Sequence, residues 1–289
     1  MAIPTRLICS SHTISGVLPG GPLPARHRFE DRVEACAAAG YTGMCLHFRD
    51  YRALREAGYS DRRLGAILQG AGITDVSLEF LTDWFLTGPD GAEARRNEAT
   101  ILEAAAGLGA CSFNVGGDFM GRNLGLGLMH ETFAALCNRA AVAGLTVALE
   151  IVPWSDVPDL RCALAMIDDI PNAGLVIDSW HVFRGAIPLE DLSRLPAQRI
   201  LCIQINDAAA ETHGSPKTDT LQRLPCGEGS FDLSSFLAAL DHATVPVSVE
   251  IISADFAALD VVEAAQRSAH GARLLVDRLQ ARRDQTAAG

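Results

Sequence analysis

Hydrophobic residues in this chain gather into short runs. Eight of them centre on Leu7–Ser11, Gly43–Phe48, Asp75–Phe80, Ser112–Gly116, Thr146–Val152, Gly174–Asp178, Ile200–Asn206 and Pro246–Ile252. Runs this short and this apolar predict strands buried on both faces, as in a parallel sheet. Helical stretches separate them: Arg28–Ala39, Asp61–Gln69, Ala92–Leu108, Glu131–Ala143, Asp159–Asp168, Leu189–Leu195, Leu233–Leu240 and Val261–Gln280. Gly40, Gly70, Gly109 and Gly144 each follow a helical stretch, where a glycine commonly closes the last turn. Eight strands alternating with eight helices predict an α/β fold, a single-domain (β/α)8 TIM barrel over residues 1–281. Residues 282–289 read as a polar tail that frays. An open doubly wound sheet is the alternative, but no G-x-G-x-x-G follows the first strand.

Four of the runs end on a strong oxygen donor. Thr146-Val-Ala-Leu ends on Glu150, Leu175-Val-Ile on Asp178, Leu201-Cys-Ile on Gln204 and Val247-Ser-Val on Glu250. In a barrel the C-terminal strand ends converge on one mouth, and these four are neighbours, on strands five to eight. Three carboxylates that close repel one another unless a cation sits among them. Carboxylate and amide oxygens are hard ligands and suit Mn²⁺ or Mg²⁺ better than zinc. Each carboxylate alone has a plainer reading, a cap or a loop salt bridge; the alignment of all four favours a metal site.

A divalent ion on a carbonyl and its neighbouring hydroxyl acidifies the C–H between them. Glu150 and Glu250 can then remove and return a proton. Return to the opposite face is epimerisation, return to the next carbon is isomerisation, and loss of a β-hydroxyl is dehydration.

Composition narrows the partners. A formal net charge of −11 argues against a nucleic-acid backbone as partner. No apolar stretch reaches the length of a membrane span, and the start carries no signal-like segment, so a cytoplasmic protein is expected. Eight scattered cysteines without a C-x-x-C pair speak against a disulfide framework or a cysteine zinc site. The expected partner is a small carbohydrate or cyclitol; a phosphate on it and a homo-oligomeric assembly are both left open.

The chain resembles the xylose isomerase-like sugar phosphate isomerase/epimerase superfamily of TIM barrels over nearly its whole length. Leu149-Glu150, Val176-Ile-Asp178-Ser-Trp-His181, Ile203-Gln-Ile-Asn-Asp207, Gly227-Glu-Gly229-Ser-Phe-Asp232 and Val247-Ser-Val-Glu250-Ile carry the resemblance. It implies that Glu150, Asp178 and Glu250 bind metal. It also implies that Glu150 and Glu250 act as acid and base, and that His181 contacts substrate oxygens. Gln204 stands where the commonest pattern has His and looks like the 3-dehydroshikimate dehydratase branch.

The resulting expectation is a divalent-metal-dependent isomerase or epimerase acting on a keto sugar or polyol-derived substrate through an enediolate. A dehydratase of a keto-cyclitol such as 3-dehydroshikimate is its alternative, and a non-catalytic carbohydrate-binding barrel the weaker one. Arg223 either reaches a substrate anion or is a surface loop arginine. Asn114, Glu79, His47 and His12 lie at other strand ends facing the same mouth; Asn114 and Glu79 are expected to contact substrate, and the two histidines read by default as structural. Trp84, Trp154 and Trp180 follow strand ends, as pocket wall or as packing. Asp207 orients a ligand or caps its loop. Lys217 reads as solvated.

Overall fold

The computed structural model describes residues 5–288. Eight parallel strands form a closed barrel in chain order. They are β1 (Leu7–Cys9), β2 (Gly43–His47), β3 (Asp75–Leu81), β4 (Ser112–Val115), β5 (Thr146–Glu150), β6 (Ala173–Asp178), β7 (Ile200–Ile205) and β8 (Val247–Val249). β8 pairs back onto β1, with Leu7 opposite Val247. Their largely apolar character follows from the closure: one face fills the barrel and the other lies under helices. β6, for example, is buried at every position.

The helices are α1 (Ser11–Ser15), α2 (Phe29–Ala39), α3 (Phe48–Glu56), α4 (Asp61–Gly70), α5 (Gly88–Leu108), α6 (Leu126–Val142) and α7 (Leu160–Ile167). After them come α8 (Ser179–Arg184), α9 (Leu189–Ser193), α10 (Pro216–Asp219), α11 (Leu233–Ala239), α12 (Ala254–Ala257) and α13 (Val261–Ala288). Five of these, α1, α3, α8, α10 and α12, are not announced by the hydrophobic pattern. Each lies between a strand end and the next outer helix; four are too short to show a periodic apolar face, and α3 follows β2 without a break, its buried Phe48, Tyr51 and Leu54 continuing the strand's apolar run. Side-chain caps open three of them, and at α12 the Ser253 hydroxyl accepts from the Phe256 amide at 3.4 Å. The His47 ring accepts a hydrogen bond from the Arg49 amide at 3.1 Å to open α3, and the Asp178 carboxylate accepts from the Trp180 amide at 2.6 Å to open α8.

Gly70 and the C-terminal tail depart from the sequence reading. Gly40 closes α2 with φ 84°, but Gly70 stays inside α4 and the left-handed turn falls two residues later, at Gly72, with φ 82°. The tail expected to fray from Arg282 instead continues as helix through Ala288. Anchors hold its approach: Gln280 Oε1 accepts from the Thr5 amide at 3.2 Å, and Arg283 donates to the Asp241 carbonyl at 3.1 Å. None of the helices of the described residues is long and apolar enough to cross a membrane.

α13 lies directly against the loop that follows β7. A Cβ on Gly271 would fall 1.8 Å from the Cys226 carbonyl oxygen, which is backbone and cannot swing aside. Gly271→Ala is therefore expected to destabilise the protein by about 1–3 kcal/mol, the usual cost of overpacking. Urea denaturation measures it, and a midpoint equal to that of the parent contradicts this close approach.

Candidate active site

Parallel register brings the strand-end polar groups level. Asp178 lies opposite Gln204, and Gln204 opposite Ser248, two residues before Glu250. The side chains enclose the floor of a mouth cavity of about 390 Å³, a size suited to a small ligand. Glu150, His181, Gln204, Glu250 and Arg223 all line it, with Glu79 and Asn114 on the other half. Each of these seven, like Asp178, is at most 7% exposed, so unpaired charge there is costly.

Of the two readings of Arg223, the surface-loop one is ruled out. The residue is 2% exposed, and its guanidinium sits among the acids. One nitrogen donates to Asp178 at 2.9 Å and to Glu250 at 2.8 Å. The other terminal nitrogen lies 3.3 Å from His181 Nε2 and 3.1 Å from the Thr220 hydroxyl. Burial opposes its charge, but Asp178, Glu250 and Glu150 outweigh that and raise its pKa.

One guanidinium does not neutralise four carboxyls. Burial first, and Asp178 second, push Glu150 up to about 8. Burial pushes Glu250 up to about 7 against the opposing pull of Arg223. Glu79 is raised too, by burial and then by Glu250. The contacts agree with bound protons. Ser10 Oγ lies 3.2 Å from Glu79 and 3.1 Å from Glu250, and its single hydroxyl proton cannot serve both acids. His181, depressed to about 4 chiefly by burial, is neutral at pH 7. Its Nε2 lies 3.1 Å from Glu150 Oε1 as well as beside Arg223, which can only donate. Nε2 is thus the acceptor, and a protonated Glu150 is the donor that matches it.

The same cluster suits a cation. Ligand atoms of Glu150, Asp178 and His181 lie within 4.8 Å of one another. Gln204 Oε1 is buried with no hydrogen-bond partner, as a carbonyl oxygen reserved for a ligand would be. The donor set fits a hard divalent ion. Of the four expected ligands, Glu150 and Asp178 come together with His181, and Gln204 lines the same cavity as Glu150. Glu250 is held by Arg223 and Ser10, and His181 offers a nitrogen that the strand-end pattern did not include.

Sequence reasoning missed Ser10, Asn206 and Thr220. Asn206 Nδ2 lies 3.1 Å from Asp178 Oδ2 and holds that carboxylate from below. Strand alternation, which puts Gln204 and Asn206 on one face, was the signal for it. Trp154 lines the cavity, with its ring 5.5 Å from the His181 ring. Trp84 and Trp180 are buried packing, and Trp84 donates to the Gly116 carbonyl at 2.8 Å. Asp207 caps its loop, accepting from the Gly227 and Phe231 amides at 3.0 Å. His12 and His47 do face the cavity, and burial depresses His47 to about 3. Lys217, expected in solvent, is exposed but lines the cavity and donates to the Phe119 carbonyl at 2.7 Å.

The model of the xylose isomerase-like TIM barrel family matches residues 33–277. The chain belongs to this family. A 3-dehydroshikimate dehydratase of Pseudomonas aeruginosa is 26% identical over 261 residues, which is 85% of this chain. The chain spans only 38% of that relative's length. Two solved structures share the fold. The IOLI protein with a bound zinc atom superposes with TM-score 0.84 at 20% identity, covering 95% of this chain and 99% of its own. D-allulose 3-epimerase of Methylomonas sp., in complex with D-allulose, superposes with TM-score 0.67 at 17% identity, covering 95% and 99%.

Cation binding to such a site has to expel protons. With Glu150 near 8 and Glu250 near 7, the expelled protons make affinity fall as pH drops below 8. Calorimetry of Mn²⁺ binding in buffers of different ionisation enthalpy should show net proton release at pH 6.5, with affinity falling about tenfold per pH unit for each proton expelled. Affinity that stays flat from pH 6 to 8 contradicts the proton-holding reading.

Proposed function

We propose that this protein is a divalent-metal-dependent enzyme that moves a proton on a carbon next to a carbonyl, in a keto sugar or polyol-derived substrate, as an isomerase or epimerase. One observation carries the reading. Glu150 and Glu250 are two buried carboxyls, both raised by burial, that stand at the ends of separate strands around one cavity floor. A general acid–base pair needs pKa values near the working pH. A barrel that only bound carbohydrate would have no use for such a pair.

A divalent cation would be held by Glu150, Asp178 and Gln204 with His181 in reach, joined by Glu250 once that carboxylate leaves Arg223, and would supply polarisation of the substrate carbonyl. The hard donors favour Mn²⁺ or Mg²⁺; the zinc in the IOLI protein makes zinc the third ion to test. In the reaction the Glu150 carboxylate takes the proton from the substrate carbon and returns one, with His181 as the group that orients it. Glu250 serves the other face once a substrate oxygen draws Arg223 away from it. Arg223 and His181 hydrogen-bond substrate oxygens. Trp154 and Phe119 keep water from the reacting carbon. Glu79 and Asn114 contact the far hydroxyls.

Dehydration of a keto-cyclitol is the second reading. Gln204 in the ligand ring favours it, as does the P. aeruginosa relative named for that reaction. Both oxygens of Glu250 are already engaged, which suits chemistry with one proton-handling group, Glu150.

The test incubates metal-loaded protein in D2O with keto sugars and keto-cyclitols and follows proton NMR. Solvent deuterium should appear beside a carbonyl. A rise in ultraviolet absorbance from a conjugated product assigns dehydration; its absence assigns isomerisation or epimerisation. Substrates that all keep their protons while metal is bound contradict the proposal.

A further inference from the structure

Lys217 is the only lysine in 289 residues; the other 23 of the 24 basic residues are arginine. It stands on α10, in the loop after β7, and lines the mouth cavity. Its ammonium reaches across to the Phe119 carbonyl in the loop after β4, at 2.7 Å. Among the described residues no carboxylate pairs with it. The nearest acid in sequence, Asp219, is already taken by Arg184 at 2.8 Å and by the His213 amide at 2.7 Å. Arg223, the cation on the cavity floor, is likewise committed to Asp178 and Glu250. Arg49, a second cation of the cavity wall, lies over the Phe48 ring and acts electrostatically on Glu93.

We infer that Lys217 is the residue that selects an anionic substrate, by binding a carboxylate or phosphate at the end of the molecule remote from the reacting carbon. This rests on the enolising site proposed above. The physical case is one of charge. In a protein of net charge −11 an anion is repelled at long range, so an anionic substrate requires local cations at the cavity. A lysine held by one neutral carbonyl keeps its full charge available and has a flexible stem to follow a ligand. Its present partner also sets its position: Phe119 stacks on Phe80 at 6.1 Å and leans on Trp154 at 6.3 Å, the aromatic wall beside the floor. A bound anion would take the ammonium from the Phe119 carbonyl and draw the β7 loop over the ligand.

A single lysine makes the test selective. Reductive methylation with ¹³C-formaldehyde labels Lys217 and the α-amino group alone and preserves the charge. The Lys217 resonance is the one missing from Lys217→Arg. Mg²⁺-loaded protein is titrated with inorganic phosphate, ribulose 5-phosphate, quinate and D-fructose. The Lys217 resonance should move saturably with the phosphates or with quinate, which identifies the anion, and stay fixed with neutral D-fructose. A resonance that no anion moves overturns the inference.

Kinetics supply the second arm. For an anionic substrate found by deuterium exchange, Lys217→Met should raise KM about tenfold with little change in kcat, because it removes binding shared by ground and transition states. Exchange on a neutral sugar, with KM unchanged in Lys217→Met, overturns the role of Lys217 and leaves the enolising site intact. Saturable shifts without deuterium exchange on any substrate would do the reverse.

Discussion

Glu150→Gln is expected to lower kcat/KM by about a thousandfold while leaving the barrel folded. The side chain keeps its shape and an oxygen for the cation but loses its charge and its ability to carry and release a proton, and acid–base catalysis of this kind contributes on the order of 10²–10⁴. The fold survives because Glu150, raised to about 8, already holds a proton at pH 7 in the metal-free protein. A neutral amide therefore replaces a neutral acid. The sign of the pH dependence follows. A carboxyl raised above its ordinary value contributes stability that is complete below about 4.5 and is lost as pH rises through 8. Gln does not titrate, so the metal-free variant should gain on the parent between pH 5 and 9. Rate measurements with metal and thermal melts with chelator check both halves. A variant within tenfold of parental activity removes Glu150 from the chemistry.

Arg223→Met is the second large effect. The substitution keeps an apolar stem of similar length and deletes the one cation bonded to both Asp178 and Glu250. Breaking a buried ion pair from one side costs about 3–5 kcal/mol, because the partner charges stay buried. At pH 8 the metal-free variant should show that full loss in urea denaturation. At pH 5 the loss should shrink, since Glu150 and Glu250 take up protons well before ordinary carboxyls do. Mn²⁺ should restore part of it at pH 8 by binding only the folded form. Equal losses at both pH values, with no recovery on adding Mn²⁺, contradict the shared electrostatics of this cluster.

The barrel and the acid ring were legible because both leave one-dimensional marks. Alternating runs gave the strands, and a polar residue at the end of an apolar run marked Glu150, Asp178, Gln204 and Glu250. Arg223 was ambiguous because its segment, Leu221-Gln-Arg-Leu-Pro225, is not a strand. Only the antiparallel bridges of Gln222 to Ser253 and of Asp207 to Leu224 fold that segment inward. Lys217 was misplaced for a related reason. Its polar surroundings resemble any solvated loop, and the Phe119 carbonyl it meets is far away in the chain. The helical tail was missed because its anchors, Gln280 and Arg283, bond to the N-terminal segment and to the loop before β8. Long-range contacts of this kind have no local periodicity.

The central claim is that the strand-end cluster holds a divalent cation where it otherwise holds protons. Electron paramagnetic resonance of Mn²⁺ titrated into chelator-stripped protein at pH 8 tests it most directly. The account predicts saturation at one ion per chain, with binding abolished in Asp178→Asn and recovered by no other divalent site. Free Mn²⁺ signal rising in proportion to added metal from the first addition, or saturation unchanged in Asp178→Asn, would contradict it.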